Sequence, residues 1–205
     1  MKIIADLHIH SKYSRATSKN LSIENLEKYA KIKGLDLLGT GDFQHPIYRK
    51  EIDQFLAEDS NGILHTSSGF PFIWQTEISL MYSQNSKRRA VHLVILSPNS
   101  EISNKITEYL KSKGRVDYDG RPIFGITSPQ LVKDLKNISD DIEIIPAHCM
   151  TPWFGLFGSD SGFDSLEECF LEQTKNIFAV ESGMSANPPM LWRLKEKVNL
   201  VSFSD

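Results

Sequence analysis

Short apolar runs that alternate with helical patterns are the feature that most constrains what this chain can fold into. Several runs are nearly continuous in Ile, Leu and Val, which is typical of strands buried on both faces. They span residues 2–8, 35–42, 72–79, 90–97, 142–148, 177–182 and 200–205. Strands that alternate with helices indicate right-handed βαβ units and a parallel sheet, either closed as a barrel or left open. The sequence therefore predicts the α/β class.

Helix start signals stand between several of these runs. Ser22 precedes a segment with helical periodicity, and its hydroxyl is suited to capping a first turn. Ser128 stands directly before Pro129, which favours a helix that begins there. Asp164, three residues ahead of Glu167, resembles a capping box. We therefore predict that helices begin at these three positions.

Composition indicates one globular domain over residues 1–205. Of the 205 residues, 40% are apolar and 24% are charged, as in ordinary soluble domains. The two cysteines, Cys149 and Cys169, form no C-x-x-C pair, which excludes a zinc ribbon within these residues and favours a reducing compartment. The net charge of −3 provides no overall attraction for a polyanion, so any contact with nucleic acid has to be local.

The apolar runs are short for membrane segments. None approaches the roughly 20 residues that cross a bilayer. Asp6 interrupts the first run too early for a signal peptide. We therefore expect a cytoplasmic protein without membrane contact.

Groups that bind metals or move protons stand at the carboxyl ends of the apolar runs. In a parallel barrel these ends share one face, so residues far apart in the sequence would meet there. They are His8, His10, Asp42, Glu77, His148, Glu181 and Asp205, with His92 inside its run. The sequence therefore predicts a metal or acid–base site assembled from most of the chain.

The pair His8 and His10 is the strongest local signal. Residues at i and i+2 lie on the same face of a strand, so the two imidazoles can ligate one metal or bridge two. Asp6 shares that face and could orient an imidazole. The alternative is a pair of histidines whose polar atoms are satisfied within a core.

Asp42 and Glu77 are the carboxylate candidates. Asp42 ends a glycine-rich turn, where it either ligates a metal or bonds local backbone N–H groups, and nearby His45 is a second candidate. Glu77 lies in an apolar strand, where an isolated carboxylate is costly unless it is paired or metal-bound. The alternative for Glu77 is an exposed strand end.

Two further histidines come later in the chain. His92 lies within an apolar run and is either a ligand or a core residue. His148 ends a buried run before a long loop, and loops of this length are often functional. In that loop Trp153, Phe154 and Phe157 either stack on a nucleic-acid base or plug the mouth of a barrel.

The sequence lacks several other catalytic motifs. It has no phosphate-binding P-loop, no dinucleotide-binding G-x-G-x-x-G and no serine nucleophile elbow. Of the reaction classes considered, metal-assisted hydrolysis is the one that the residues still support. The mixture of imidazoles and carboxylates suits zinc, manganese or iron, and the candidates exceed what one tetrahedral zinc uses.

Together the motifs resemble the PHP (polymerase and histidinol phosphatase) family. The resemblance begins with Asp6-Leu7-His8-Ile9-His10 and continues through Thr40-Gly41-Asp42, Glu77, His92, His148 and Ser204-Asp205. It implies a distorted (β/α)7 TIM-like barrel with two to three divalent metal ions, zinc first, with manganese, magnesium or iron as alternatives. The ligands that it implies are His8, His10, Asp42, Glu77, His92, His148 and Asp205.

Segments 15–20, 39–46 and 151–158 are similar to the endonuclease Q subgroup of this family. The similarity implies a metal-dependent phosphoesterase of DNA repair that nicks DNA on the 5′ side of deaminated bases such as hypoxanthine and uracil. Catalytic roles are expected for Asp42, Glu77 and His148. Contacts with substrate are expected for Arg15, Trp153, Phe154 and Phe157.

Two other functions fit the same residues, namely a PHP phosphatase that acts on a small phosphomonoester and an inactive metal-binding PHP barrel. Members of the endonuclease Q subgroup continue into a cysteine-rich zinc ribbon and a helical C-terminal region. We therefore expect residues 1–205 to be the N-terminal part of a longer protein. This expectation leaves open whether the chain is active by itself.

Overall fold

The computed structural model describes residues 2–184 and 186–205. Its backbone contacts divide the chain into two compact units. The first unit comprises Met1–Glu77 and Leu96–Pro122, and the second comprises Ile78–Ile95 and Ile123–Asp205. The single domain predicted over residues 1–205 stays a prediction.

The sheet of the first unit carries the amino-terminal histidine motif. Its strands are β1 (Ala5–Asp6), β2 (Leu37–Gly39), β3 (Ala57–Glu58), β4 (Leu64–His65) and the first half of β5 (Pro71–Gln84). They pair in the order β1-β2-β5-β4-β3, with β1, β2 and β5 parallel. The carboxyl ends of β1 and β2 therefore lie at one edge, and the segments with His8 and Asp42 follow directly from them.

Three helices belong to the first unit: α1 (Ile23–Lys33), α2 (Pro46–Phe55) and α3 (Ser100–Lys113). The predicted start at Ser22 is confirmed, since its side chain accepts a hydrogen bond from the Asn25 N–H. Gly34 ends α1 with a φ of 74°, a conformation that glycine adopts without a side-chain clash. The largest fully buried side chains of this unit are Trp74, Tyr48, Phe43 and Phe72.

The second unit is built on the other half of β5. Strand β6 (Lys87–Ser97) pairs with β5 and with β8 (Glu143–Pro146), and β7 (Ile123–Phe124) pairs with β5 in parallel. A separate parallel pair consists of β9 (Ala179–Glu181) and β10 (Asn199–Val201). Its helices are α4 (Ser128–Ile138), α5 (Leu166–Phe170) and α6 (Pro188–Leu191), with a 3-10 helix at Leu171–Asn176.

Two predicted helix starts of this unit are wrong by one residue. The cap of α4 is Thr127, which accepts from the Gln130 N–H, and Ser128 is already in the helix. The cap of α5 is Ser165, which accepts from the Glu168 N–H. In both cases a hydroxyl next to the predicted position reaches the orphan N–H three residues ahead.

The apolar runs 72–79 and 90–97 form a hairpin and not a βαβ unit. Only Asn85 and Ser86 separate β5 from β6, and both have positive φ values of 52° and 59°. Such a short connection joins neighbouring strands that run in opposite directions, because a parallel crossover needs about a dozen residues.

The α/β class is confirmed, since helices and a mixed sheet are both present. Among the described residues the strand pairings do not close on themselves, so the (β/α)7 barrel stays a prediction. No described helix combines the length and apolarity that a membrane span requires.

Candidate metal centre

The first unit brings together His8, His10 and Glu77. The His8 Nε2 atom lies 3.4 Å from Glu77 Oε1, and the His10 Nε2 atom lies 3.2 Å from Glu77 Oε2. One potential ligand atom from each of the three residues lies within 4.8 Å of the others. All three side chains are buried. The arrangement aims two imidazoles at one carboxylate, which is a donor set suited to a divalent metal.

Asp42 contacts this cluster through His10. Its Oδ1 atom lies 3.1 Å from His10 Nδ1. Its Oδ2 atom accepts hydrogen bonds from the Ser11 N–H at 2.7 Å, the Ser11 hydroxyl at 2.6 Å and the Ser14 hydroxyl at 2.9 Å. Burial alone would raise the pKa of Asp42, but the contacts with His10 and Ser11 outweigh it and lower the pKa below its usual value.

The contact with Asp42 suits one tautomer of His10, the one with its proton on Nδ1. An Nδ1–H that donates to Asp42 leaves the Nε2 lone pair directed toward Glu77. A carboxylate in this relation to a metal-binding imidazole fixes its tautomer and ring orientation. Of the two alternatives for Asp42, the structure shows the hydrogen bonds to local N–H and O–H groups, and the role of a metal ligand stays a prediction.

Close backbone approach makes the cluster compact. Gly41 has a φ of 70°, and a Cβ there would lie 3.0 Å from the Ile9 carbonyl oxygen. A Cβ on Gly120 would collide with Asp42 Oδ2 and Ser14 Oγ. Glycine at these two positions therefore lets three loops meet around Asp42.

Gln75 is a buried residue that the sequence analysis missed. Its side-chain Oε1 accepts hydrogen bonds from the Ile9 N–H at 3.3 Å and the Gly41 N–H at 3.0 Å. Ile9 stands between the two histidines, and Gly41 precedes Asp42. One amide thus joins the two loops that carry these side chains. The available signal was a polar residue in an apolar strand, two positions before Glu77.

We expect Gln75→Met to weaken divalent metal binding by about 10- to 100-fold, because neighbours that orient ligands typically have effects of that size. Methionine has a similar length but cannot accept the two N–H bonds. Metal titration of the purified protein is the measurement, and Gln130→Met, at an exposed site on α4, is the control. A Gln75→Met protein that is less stable yet binds metal as tightly as the wild type would contradict this role.

The contacts of His45 and the burial of Cys149 are typical of residues with a structural role. The His45 Nδ1 atom accepts from the Tyr48 N–H at 3.4 Å and caps α2, while the ring stacks on Tyr13 at 4.6 Å. Burial lowers the pKa of His45. Burial also raises the pKa of the Cys149 thiol to about 11, which keeps it protonated near neutral pH.

The second unit contains its own histidine pair. The His92 Nδ1 and His148 Nε2 atoms lie 3.1 Å apart, and both residues are buried. His148 has a φ of 29°, and its N–H donates to Glu181 Oε2 at 2.9 Å. Its Nδ1 atom lies 2.8 Å from the Thr151 hydroxyl. Glu181, at the end of β9, therefore holds the turn that presents His148.

A cavity of about 360 Å³ lies beside this pair in the second unit. It is lined by His92, His148, Thr151, Trp153, Phe154, Met184, Ser204 and Asp205. The Phe154 ring packs against His92 with the ring centroids 4.3 Å apart, and Trp153 is 61% exposed. Phe157 lies outside this lining and bonds through its N–H to the Cys149 carbonyl at 2.7 Å.

The structure thus places the predicted residues in two sets. His8, His10, Asp42, Glu77 and the predicted substrate residue Arg15 belong to the first unit, and His92, His148, Asp205 and the three aromatic residues belong to the second. The ligand, catalytic and substrate roles themselves stay predictions.

The chain is similar in structure to endonuclease Q. PfuEndoQ, the lesion-specific endonuclease of Pyrococcus furiosus, matches 99% of this chain and 48% of its own chain, with 30% identity and a TM-score of 0.85. An endonuclease Q in complex with a 27-mer duplex substrate, with an abasic lesion at the active site, matches 97% of this chain and 47% of its own, with 31% identity and a TM-score of 0.83. The chain therefore spans about half the length of these proteins.

Two other comparisons are less specific. A protein of Bifidobacterium adolescentis, named as a metal-dependent phosphoesterase, has a TM-score of 0.58 at 13% identity, covering 99% of this chain and 87% of that one, and so supports the fold alone. An uncharacterised protein of Methanocaldococcus jannaschii is 36% identical over 148 residues, which are 72% of this chain and 16% of that protein. No protein-family profile matches the chain. The resemblance to PHP proteins and endonuclease Q that the motifs indicated is confirmed by the solved structures.

Proposed function

We propose that this chain is the metal-dependent hydrolase part of a DNA endonuclease that nicks on the 5′ side of deaminated bases such as hypoxanthine and uracil. The observation that carries the proposal is the match of nearly the whole chain to endonuclease Q, together with the buried cluster of His8, His10 and Glu77. The proposal includes the (β/α)7 barrel of PHP proteins and a cytoplasmic location.

In the first unit, His8, His10 and Glu77 would hold a divalent metal, with zinc as the first candidate, and Asp42 would fix the His10 ring. In the second unit, His92, His148 and Asp205 would supply further ligands. Bound divalent metals polarise a phosphate and lower the pKa of water, which is the chemistry that phosphodiester hydrolysis needs. Glu181 holds the His148 backbone, and Gln75 holds the loops of the first cluster.

The cavity in the second unit favours a base over a small phosphomonoester. Aromatic side chains, Trp153 and Phe154, form part of its lining, and the lining residues that the structure describes include no lysine or arginine. A small phosphomonoester needs cationic partners, whereas a flipped base gains about 1–3 kcal/mol from each aromatic stack. An enzyme that inspects a deaminated base has to extrude the nucleotide, because the duplex hides its edge. We propose that Trp153 and Phe154 receive that base.

The test compares nicking of duplexes that contain inosine, uracil or only undamaged bases. We expect nicking of the first two on the 5′ side of the lesion, and we expect Trp153→Ala to reduce it about tenfold or more, because one stacking contact is lost. Denaturing electrophoresis of end-labelled strands measures both the position and the rate.

Trp192→Ala is the matched control, since Trp192 is 79% exposed and lies outside the cavity lining. Equal nicking of damaged and undamaged duplexes would contradict the proposed specificity. An unchanged rate for Trp153→Ala on inosine DNA would contradict the role of the cavity alone. Hydrolysis of small phosphomonoesters without nicking of any duplex would favour the phosphatase.

A further inference from the structure

Arg121, which belongs to no sequence motif, contacts the cluster of His8, His10 and Glu77 in the first unit. Its Nη1 atom donates to Glu77 Oε2 at 3.1 Å. The Arg121 side chain is 31% exposed, whereas Glu77 is completely buried. A guanidinium has five N–H donors in a planar fork, and one bond to Glu77 engages one of them. Arg121 is therefore a cation that joins the buried carboxylate to the surface.

Asp119 ties Arg121 to a second arginine. One Asp119 oxygen, Oδ1, accepts hydrogen bonds from the backbone N–H of Arg121 at 3.1 Å and from the backbone N–H of Arg15 at 3.2 Å. The other oxygen, Oδ2, lies 3.3 Å from Arg15 Nε. The Asp119 side chain is only 11% exposed, while that of Arg15 is 75% exposed. One nearly buried carboxylate thus fixes the two segments that carry these arginines.

Gly120 fixes the same segment against the cluster. Its N–H donates to the Tyr13 carbonyl at 3.0 Å, and its own carbonyl accepts from Gln44 Nε2 at 2.5 Å. Because a Cβ at Gly120 would collide with Asp42 and Ser14, the backbone lies directly on the side chains that hold His10. Hydrogen bonds therefore hold the backbone that leads into Arg121, so the position of Arg121 does not depend on Glu77 alone.

The side chains of Arg121 and Arg15 are suited to binding a phosphate group. Arginine forks bind phosphate oxygens through two parallel charge-assisted hydrogen bonds, and this geometry is not reproduced by lysine. A cation placed beside metal ligands also neutralises charge that develops on a transferring phosphoryl group. The bond to Glu77 engages one donor of Arg121, and Asp119 holds the segment that carries a second arginine, Arg15.

We propose that Arg121, assisted by Arg15, forms a phosphate-binding site beside His8, His10 and Glu77, which holds the phosphodiester of the substrate. The inference rests on the proposed hydrolase function and extends that function. It assigns a residue that binds the phosphate of the substrate and not the base. In the enzyme Arg121 contacts substrate directly, whereas Asp119 is a positioning residue.

The experiment measures binding of inorganic phosphate to the metal-loaded chain by calorimetry, with metal content measured on the same samples. We expect Arg121→Gln to weaken phosphate binding about tenfold or more, the size of effect typical of a lost charge-assisted hydrogen bond, while metal content is unchanged. Arg121→Lys should weaken phosphate binding less than Arg121→Gln, because lysine keeps the positive charge. Some loss should remain, because lysine lacks the planar guanidinium. Arg115→Gln is the matched control, since Arg115 is 73% exposed and pairs with Asp117.

The outcomes separate a phosphate site from a structural arginine. Phosphate binding by Arg121→Gln at wild-type strength would overturn the inference. So would parallel loss of metal and phosphate in both Arg121 variants, because Arg121 would then act only by holding Glu77. If the wild-type chain binds phosphate through Arg121 but fails to nick lesion-containing DNA, the proposed function fails and the phosphate site stands.

Discussion

Replacing His8 and His10 together with alanine is expected to remove at least one divalent metal per chain and to reduce phosphodiester hydrolysis to background. Both imidazoles face the same carboxylate of Glu77, at 3.4 and 3.2 Å, so their loss leaves that carboxylate without its nitrogen partners for a metal. Elemental analysis after purification, with and without added zinc or manganese, measures the metal. Rates on a generic phosphodiester and on lesion-containing DNA measure the activity.

His65→Ala is the control for this double variant, because His65 pairs with Asp59 and is partly exposed on β4. We expect it to keep the metal content and rate of the wild type. Circular dichroism should show that the double variant retains its secondary structure. Wild-type turnover by the double variant would contradict the assignment of His8 and His10 as ligands. Uptake of less than one metal ion per wild-type chain would contradict the metal centre itself.

Replacing Asp42 with alanine is expected to destabilise the chain by roughly 3–5 kcal/mol, the cost of removing one member of a buried, charge-assisted cluster. Alanine leaves the Ser11 N–H, the Ser11 and Ser14 hydroxyls and His10 Nδ1 without their common acceptor. For a chain of this size the loss corresponds to a Tm that is lower by roughly 6–20 °C. Thermal unfolding followed by circular dichroism is the measurement.

Asp117→Ala is the control, because Asp117 is 51% exposed and forms its ion pair with Arg115, whose side chain is also exposed. A surface pair of this kind contributes at most about 1 kcal/mol. Asp42→Asn keeps the shape and part of the acceptor capacity, so it should fall between the wild type and Asp42→Ala. If Asp42→Ala melts within about 2 °C of the wild type, the hydrogen bonds of Asp42 contribute little to the stability of the fold.

The sequence by itself was enough to predict the fold class and the first histidine pair. Both depend on local rules, because apolar runs between helical patterns specify α/β structure, and residues at i and i+2 share a face of an extended segment. Hence His8 and His10 could be paired before any contact was known. For Glu77 the sequence left two alternatives, a paired or metal-bound carboxylate and an exposed strand end, and the structure shows that the side chain is buried.

The sequence located two helix caps only to within one residue and did not indicate the hairpin of β5 and β6. Thr127 and Ser165 cap their helices one residue from the predicted positions, because each pair of adjacent residues contains two polar side chains that are suited to capping. Strand β5 continues beyond the run 72–79 through Leu80, Met81 and Tyr82, and β6 begins at Lys87, ahead of the run 90–97, so the two strands meet in a two-residue turn. The charged segment Lys87–Arg89 carries no apolar signal, so apolar periodicity does not register it as the start of a strand.

Only the tertiary structure decided what surrounds each functional side chain. Gln75 and Arg121 lie far apart in the sequence and carry no recognisable motif, yet one joins the loops of His8 and Asp42 and the other contacts Glu77. Asp42 likewise bonds to Ser11 and Ser14 only because the loops after β1 and β2 lie side by side. Local sequence determines which groups are available, whereas hydrogen bonds between distant loops depend on strand order and close packing, which no short pattern encodes.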